Sequence, residues 1–219
     1  MNIILIFSLI TICGAGLLRL SFPDTSLWFL APIGFAFFIY SVVKIKKTLL
    51  LSFLFGLSFS LMLSNYIYHT MRVQYDFSIA ISFVFYFIVI GLYPSLWFIL
   101  FSKIIVIPVK KFTGNLKQAI FSSITISFAY TFIEFIRTSL SPEFGMGSIS
   151  TIYYDNPYLL SIAALTGGPG LTFITVFAGS LIAILLYYRR QLKIKSLIFI
   201  VILLLTLFLY PVLYYNVIK

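Results

Sequence analysis

Apolar residues run along this chain in seven long blocks: about Asn2 to Leu20, Leu27 to Val43, Thr48 to His69, Ser78 to Phe101, Gln118 to Ile136, Leu159 to Tyr188 and Ser196 to Tyr215. Each is near the roughly 20 residues that carry a helix across the hydrocarbon of a bilayer. A helix satisfies its own backbone hydrogen bonds there, which is why it is the element predicted for every block. The expected fold is all-α integral membrane, seven transmembrane helices in one polytopic domain over residues 1–219. The second block is short, and the sixth is long enough to tilt or to begin as an interfacial segment.

The polar punctuation is one-sided. Lys44, Lys46 and Lys47, then Lys103, Lys110, Lys111 and Lys117, then Arg189, Arg190, Lys193 and Lys195 follow the second, fourth and sixth blocks. Basic loops face the cytoplasm, so the N-terminus is predicted inside and the C-terminus outside. Arg19, Arg72, Arg137 and Lys219 fall at the opposite ends, together with the acids Asp24, Asp76, Glu134, Glu143 and Asp155. Tyrosines and tryptophan near the block ends (Trp28, Tyr66, Tyr68, Tyr75, Tyr153, Tyr154, Tyr158, Tyr214, Tyr215) suit an aromatic belt at the membrane surfaces.

Composition agrees: 62% hydrophobic against 9% charged residues is far from a soluble domain. The formal charge of +10 sits in the loop clusters, a topogenic pattern that argues against nucleic acid as a partner and for membrane lipid. One cysteine, Cys13, allows no internal disulfide and no multi-thiolate site, and one histidine, His69, closes off ordinary zinc chemistry. No metal or cofactor is therefore expected. Met1 to Leu20 lacks a basic start, and Ile12 before Cys13 is a poor lipoprotein cleavage site, so a retained first helix is expected. No internal repeat of the inverted-transporter kind is visible, and no charge sits at a block centre to carry a substrate.

Within the blocks, Gly56-xxx-Ser60-xxx-Ser64 puts small residues on one helix face, where a neighbour can approach closely. Pro94 is expected to kink the fourth helix. Glu134 and Arg137, three residues apart, project from one face and can pair. An unpaired charge at a helix centre costs about 2.5–3.5 kcal/mol on the insertion scale, so such residues are partnered, interior or interfacial. The bland role is an ion pair that fixes the helix end. The sharper one gives Arg137 a lipid phosphate, which guanidinium binds in a bidentate manner.

The stretch 138–157, with Pro142, Gly145, Gly147 and Pro157 as turn formers, is the longest outward loop. Phe144, Met146, Ile149, Ile152, Tyr153 and Tyr154 favour burial, so an interfacial or re-entrant structure is expected. Asn65 and His69 share a helix face at i and i+4, and His69 is a weak general-base candidate. Asn65, Tyr68, Glu134, Arg137, Tyr153 and Tyr154 are the candidate lipid-binding or structural polar residues, and His69 and Glu134 the weak catalytic candidates. Thr166-Gly167-Gly168-Pro169-Gly170 is expected to break the start of the sixth helix; it is no phosphate loop, and GxSxG and HExxH are absent.

These residues together resemble the membrane half of bacterial apolipoprotein N-acyltransferase. The likeness rests on Leu20-Ser21-Phe22-Pro23 to Leu27-Trp28 with Ala31-Pro32, Phe55-Gly56-Leu57 to Asn65-Tyr66-Ile67-Tyr68, Glu134-Phe135-Ile136-Arg137, and Asn156-Pro157 through Gly167 to Leu171-Thr172-Phe173, in the family's order. Where the family usually carries Gly-Phe-Pro-Trp, this chain has Glu143-Phe144-Gly145-Met146-Gly147. The resemblance implies a lipid-facing cavity in a multi-pass protein of the cell membrane. The family's acyl transfer uses a nitrilase-like domain with a Glu-Lys-Cys triad joined after the seventh helix, and this sequence reaches Lys219 where that domain would begin. A Cys-based acyl-enzyme is therefore not expected of these residues. The expected role is a membrane subunit that binds phospholipid or a lipoprotein anchor and serves a separate nitrilase-like catalytic chain on the outer side. The alternatives are a self-contained acyltransferase using His69 or Glu134, and a membrane anchor for a polyprenyl-phosphate glycosyltransferase.

Overall fold

The computed structural model describes residues 2–25, 27–45, 47–64, 70–74, 78–110, 115–140, 147–188, 191–192 and 198–206. Among them all regular structure is helical. The helices are α1 (Ile3–Leu20), α2 (Leu30–Lys44), α3 (Thr48–Leu63), α4 (Ile79–Phe85), α5 (Tyr93–Lys110), α6 (Leu116–Leu140) and α7 (Pro157–Tyr188). A π-helical segment, Tyr86–Leu92, joins α4 to α5, and a 3-10 turn, Ile149–Tyr153, precedes α7.

Local chemistry sets the helix starts. The Asn2 side chain accepts from the Ile4 N–H at 3.1 Å, and Ser78 from Ile81 at 3.3 Å. Asn156 caps α7 by accepting from both Tyr158 and Leu159 at 3.1 Å, with Pro157 in the first helical position, where its missing N–H costs nothing. Interior hydroxyls satisfy themselves on carbonyls one turn back, as Thr11 does on Phe7 at 2.7 Å and Ser127 on Ser123 at 2.7 Å.

Among the described residues four stretches are long and apolar enough to cross a membrane: Ile3–Leu20, Ile79–Val106, Leu116–Leu140 and Pro157–Tyr188. The chain is thus a multi-pass helical membrane protein. The second and third blocks form shorter apolar helices, 15 and 16 residues, because α2 starts only at Leu30 and α3 ends at Leu63. The fourth block runs past its sequence-predicted end at Phe101 to Lys110, which places Lys103 within helix α5. Of the seventh block, residues 198–206 are described and are helical.

Backbone crossings hold the bundle together. A Cβ on Gly34 of α2 would stand 2.7 Å from the Gly14 carbonyl oxygen of α1, and one on Gly179 of α7 would stand 2.7 Å from the Pro32 carbonyl oxygen. Gly56 of α3 faces the Ser95 Cα of α5 at 2.6 Å in the same sense, so the small-residue face expected on the third helix is the contact face. Between these crossings lies an aromatic core. The rings of Phe38 and Phe55 stack at 4.4 Å, Phe55 meets Phe98 at 5.0 Å, and Tyr130 lies edge-on to Phe101 at 4.8 Å.

The ends of the helices pair in an alternating pattern. Arg19 at the end of α1 donates from Nε to the Met62 carbonyl near the end of α3 at 3.0 Å. At the other end of the bundle, Tyr188 of α7 donates to the Val109 carbonyl of α5 at 2.7 Å. Arg19 also clasps Asp24 with both terminal guanidinium nitrogens, Nη1 and Nη2, at 2.8 and 2.5 Å. That hydrogen bond holds the Asp24 carboxyl below the usual carboxylate range. A lowered folded-state value means the stabilisation is full above the ordinary Asp range and fades as pH falls through the lowered value. Asp24→Asn is therefore expected to flatten the loss of melting temperature between neutral and strongly acid pH, seen by comparing the two proteins' melts across that range; the effect is small because Asp24 is exposed.

α7 would measure about 48 Å if straight, well beyond the roughly 30 Å hydrocarbon thickness. It is broken at Gly167, whose φ of 69° and ψ of −175° lie outside the helical region. Pro169 follows two residues later, so the expected break is present. Residues 168–188 remain as one continuous rod of about 31 Å.

Candidate functional site

The π-helical segment ends just before Pro94. A proline cannot donate to the turn behind it, and widening that turn is one way a helix absorbs the defect. The Ser95 hydroxyl donates to the Gly91 carbonyl at 2.6 Å, and the Tyr86 hydroxyl donates to the Leu61 carbonyl of α3. The turn ahead of Pro94, where a kink is expected, is thus widened and pinned to α3.

Under this turn is a cavity of about 110 Å³, opening between α3, the π-helical segment, α5 and α6. Its floor and walls are apolar, with Phe59, Ile90, Trp97, Phe98 and Ile133 among the lining residues. Ser60 and Ser64 face it from α3, and Tyr130, Glu134 and Arg137 from α6. Gly147, with φ of 91°, closes one side; a Cβ there would stand 2.8 Å from Leu63.

Glu134 is only 6% exposed. One carboxylate oxygen accepts from the Ile149 N–H at 2.7 Å, and the other accepts from the Thr172 hydroxyl at 2.5 Å. Ser148 supplies a further hydroxyl, and the charge of Arg137 also acts on the carboxylate. One side chain therefore joins three elements: α6, the 3-10 turn and α7. Its oxygens are engaged in holding the wall of the cavity. Arg137, half-buried, shares the cavity lining with it.

The adjacent tyrosines Tyr153 and Tyr154 part company. Tyr153 is buried and its hydroxyl lies 2.6 Å from Thr175 Oγ1. Thr175 already donates to the Leu171 carbonyl, so Tyr153 is the donor of that pair. Burial pushes the Tyr153 hydroxyl up to about 12, and it stays neutral across the working range of pH. Tyr154, expected to be buried, is instead 74% exposed, because the 3-10 turn directs Ile149, Ile152 and Tyr153 inward. Asn65, Tyr68 and His69 lie outside the described residues, as do Phe144 and Met146. Sequence reasoning missed Thr172, Ser148 and the backbone of Ile149 as the partners of Glu134; all are far from it along the chain.

The arrangement offers an apolar recess with a guanidinium and a braced carboxylate on its lining. Among the described residues no group of His, Cys, Asp and Glu could hold a metal ion. Residues 14–181 match the family model described as the apolipoprotein N-acyltransferase N-terminal domain. Comparison with curated proteins gives no significant match.

Proposed function

Because the chain belongs to the apolipoprotein N-acyltransferase N-terminal domain family, we propose that it binds a phospholipid, or the diacylglyceryl anchor of a lipoprotein, in the cavity between α3, α5 and α6. The observation that carries this reading is the pairing of an apolar recess with Arg137 on its lining. Acyl carbons find the aromatic walls, and a phosphate finds the guanidinium. The recess has room for only a few methylene groups, so the rest of each chain stays in the bilayer.

On this reading the protein spans the cell membrane seven times, with its basic loops in the cytoplasm and the Arg137 end of the bundle on the outer side. The acyl-transfer chemistry is supplied by a nitrilase-like catalytic unit outside these 219 residues, docking on the outer face. The sole cysteine, Cys13, lies within α1, away from the cavity lining. The engaged oxygens of Glu134 favour this binding role over a self-contained acyltransferase.

The test is native mass spectrometry of the gently solubilised full chain. Ser60→Trp fills the recess and is expected to remove one equivalent of retained phospholipid. Arg137→Gln is expected to lower retention about tenfold, since a hydrogen bond to a charged group is worth about 1.5–3 kcal/mol and 1.4 kcal/mol is about a factor of ten. Unchanged retention in both variants overturns the proposal.

A further inference from the structure

A second recess lies at the opposite end of the bundle from Arg137, where α1, α2 and the end of α7 meet, with a volume of about 560 Å³. Its apolar lining is Ile10, Phe37 and Leu186. Its polar lining includes Tyr40, Lys44 and Tyr187. The rise along α2 from Phe37 to Lys44 is about 10 Å, roughly the depth from the head-group layer to the upper acyl chain.

We propose that this groove is a second lipid site, occupied by an anionic phospholipid whose phosphate meets Lys44 and whose upper chain lies against Ile10 and Phe37. Charge complementarity identifies the occupant. The Lys44 ammonium is held 5.3 Å above the Tyr187 ring, a cation–π contact that fixes its position without neutralising it. None of the residues lining the groove is acidic. Arg189 and Arg190 follow Tyr188 directly in the sequence, and Lys46 and Lys47 follow Lys44 closely, basic runs of the kind that draw anionic lipid.

The groove wall is itself rigidly built. Tyr188, whose ring is edge-on to Tyr187 at 4.6 Å, is anchored through its hydroxyl to α5, and Tyr40 packs edge-on against Tyr187 at 6.4 Å. The site therefore exists before any lipid arrives, which lowers the ordering cost of binding. A lipid there bridges α1, α2 and α7, elements that otherwise cross at their glycines.

The experiment places the full chain in nanodiscs of phosphatidylcholine containing a minor fraction of phosphatidylglycerol. The phosphatidylglycerol that remains bound after release into mild detergent is then counted by native mass spectrometry. Lys44→Gln, at an exposed position, is expected to cut the occupancy of one retained phosphatidylglycerol equivalent about tenfold while leaving phosphatidylcholine unchanged. Ile10→Trp, which fills the groove, is expected to do the same. Arg137→Gln leaves the phosphatidylglycerol held in this groove untouched, so failure of this site and failure of the Arg137 cavity are read separately. Phosphatidylglycerol retention that is unchanged in Lys44→Gln, or that falls equally for both lipids in it, overturns the inference.

Discussion

Glu134→Ala lowers the thermal midpoint of the detergent-solubilised protein by on the order of 5–10 °C, corresponding to about 2–4 kcal/mol. The reason is geometric. The Ile149 N–H and the Thr172 hydroxyl both aim into a space that alanine vacates, and a buried donor left without an acceptor costs about 1–3 kcal/mol. Glu134→Gln separates this bracing from any need for charge. The amide oxygen can accept from Ile149, and the amide nitrogen can donate to a Thr172 hydroxyl that has turned round, so stability is expected within about 1 kcal/mol of the parent. A Gln variant as unstable as the Ala variant shows that ionisation, not bridging, is what the site requires. Differential scanning fluorimetry of both proteins under one detergent condition decides it.

Gly34→Ala is expected to destabilise by about 3 kcal/mol or more, at or above the upper end of overpacking costs. The added methyl meets the Gly14 carbonyl oxygen at 2.7 Å and the Leu18 nitrogen at 3.0 Å. Both obstacles are backbone, so no side-chain rotation relieves the clash and α1 must move away from α2. Gly16→Ala is the matched control. It lies in the same helix as Gly14, and a Cβ there meets nothing within 4 Å. Exchanging glycine for alanine in a free helix position favours the helix by about 1 kcal/mol, so this variant should melt at or above the parent. Equal melting temperatures for the Gly34 and Gly16 variants would mean the two helices do not touch as described.

The sequence was informative wherever one helix or one turn decides the outcome. The Gly56, Ser60 and Ser64 face is visible from spacing alone, and the structure puts Gly56 on Ser95 and the two serines on the cavity. The break at Gly167 followed from three glycines and a proline in a run too long for one membrane crossing. The role of Glu134 was hidden, because periodicity sees only neighbours three or four positions away and so offered Arg137. The partners that hold it are 15 and 38 positions distant. The tyrosine pair was unresolved for a related reason: adjacent residues differ in direction according to whether the backbone coils as a 3-10 turn, and hydropathy carries no such information. Helix ends were misjudged by several residues in α2, α3 and α5, since a uniformly apolar stretch contains little to mark where coiling stops.

The widened turn at Tyr86–Leu92 makes chain length itself a structural determinant. Each residue of an α-helix advances the rotation by about 100°, and a π turn holds one residue more than an α turn. The surplus residue sets the angular register between α4 and α5. With it, the Tyr86 hydroxyl reaches the Leu61 carbonyl while Ser95 lies against Gly56. A single-residue insertion or deletion in the segment would turn α4 by about 100° about its axis and aim Tyr86 elsewhere. In this part of the bundle the count of residues is specified along with their identity.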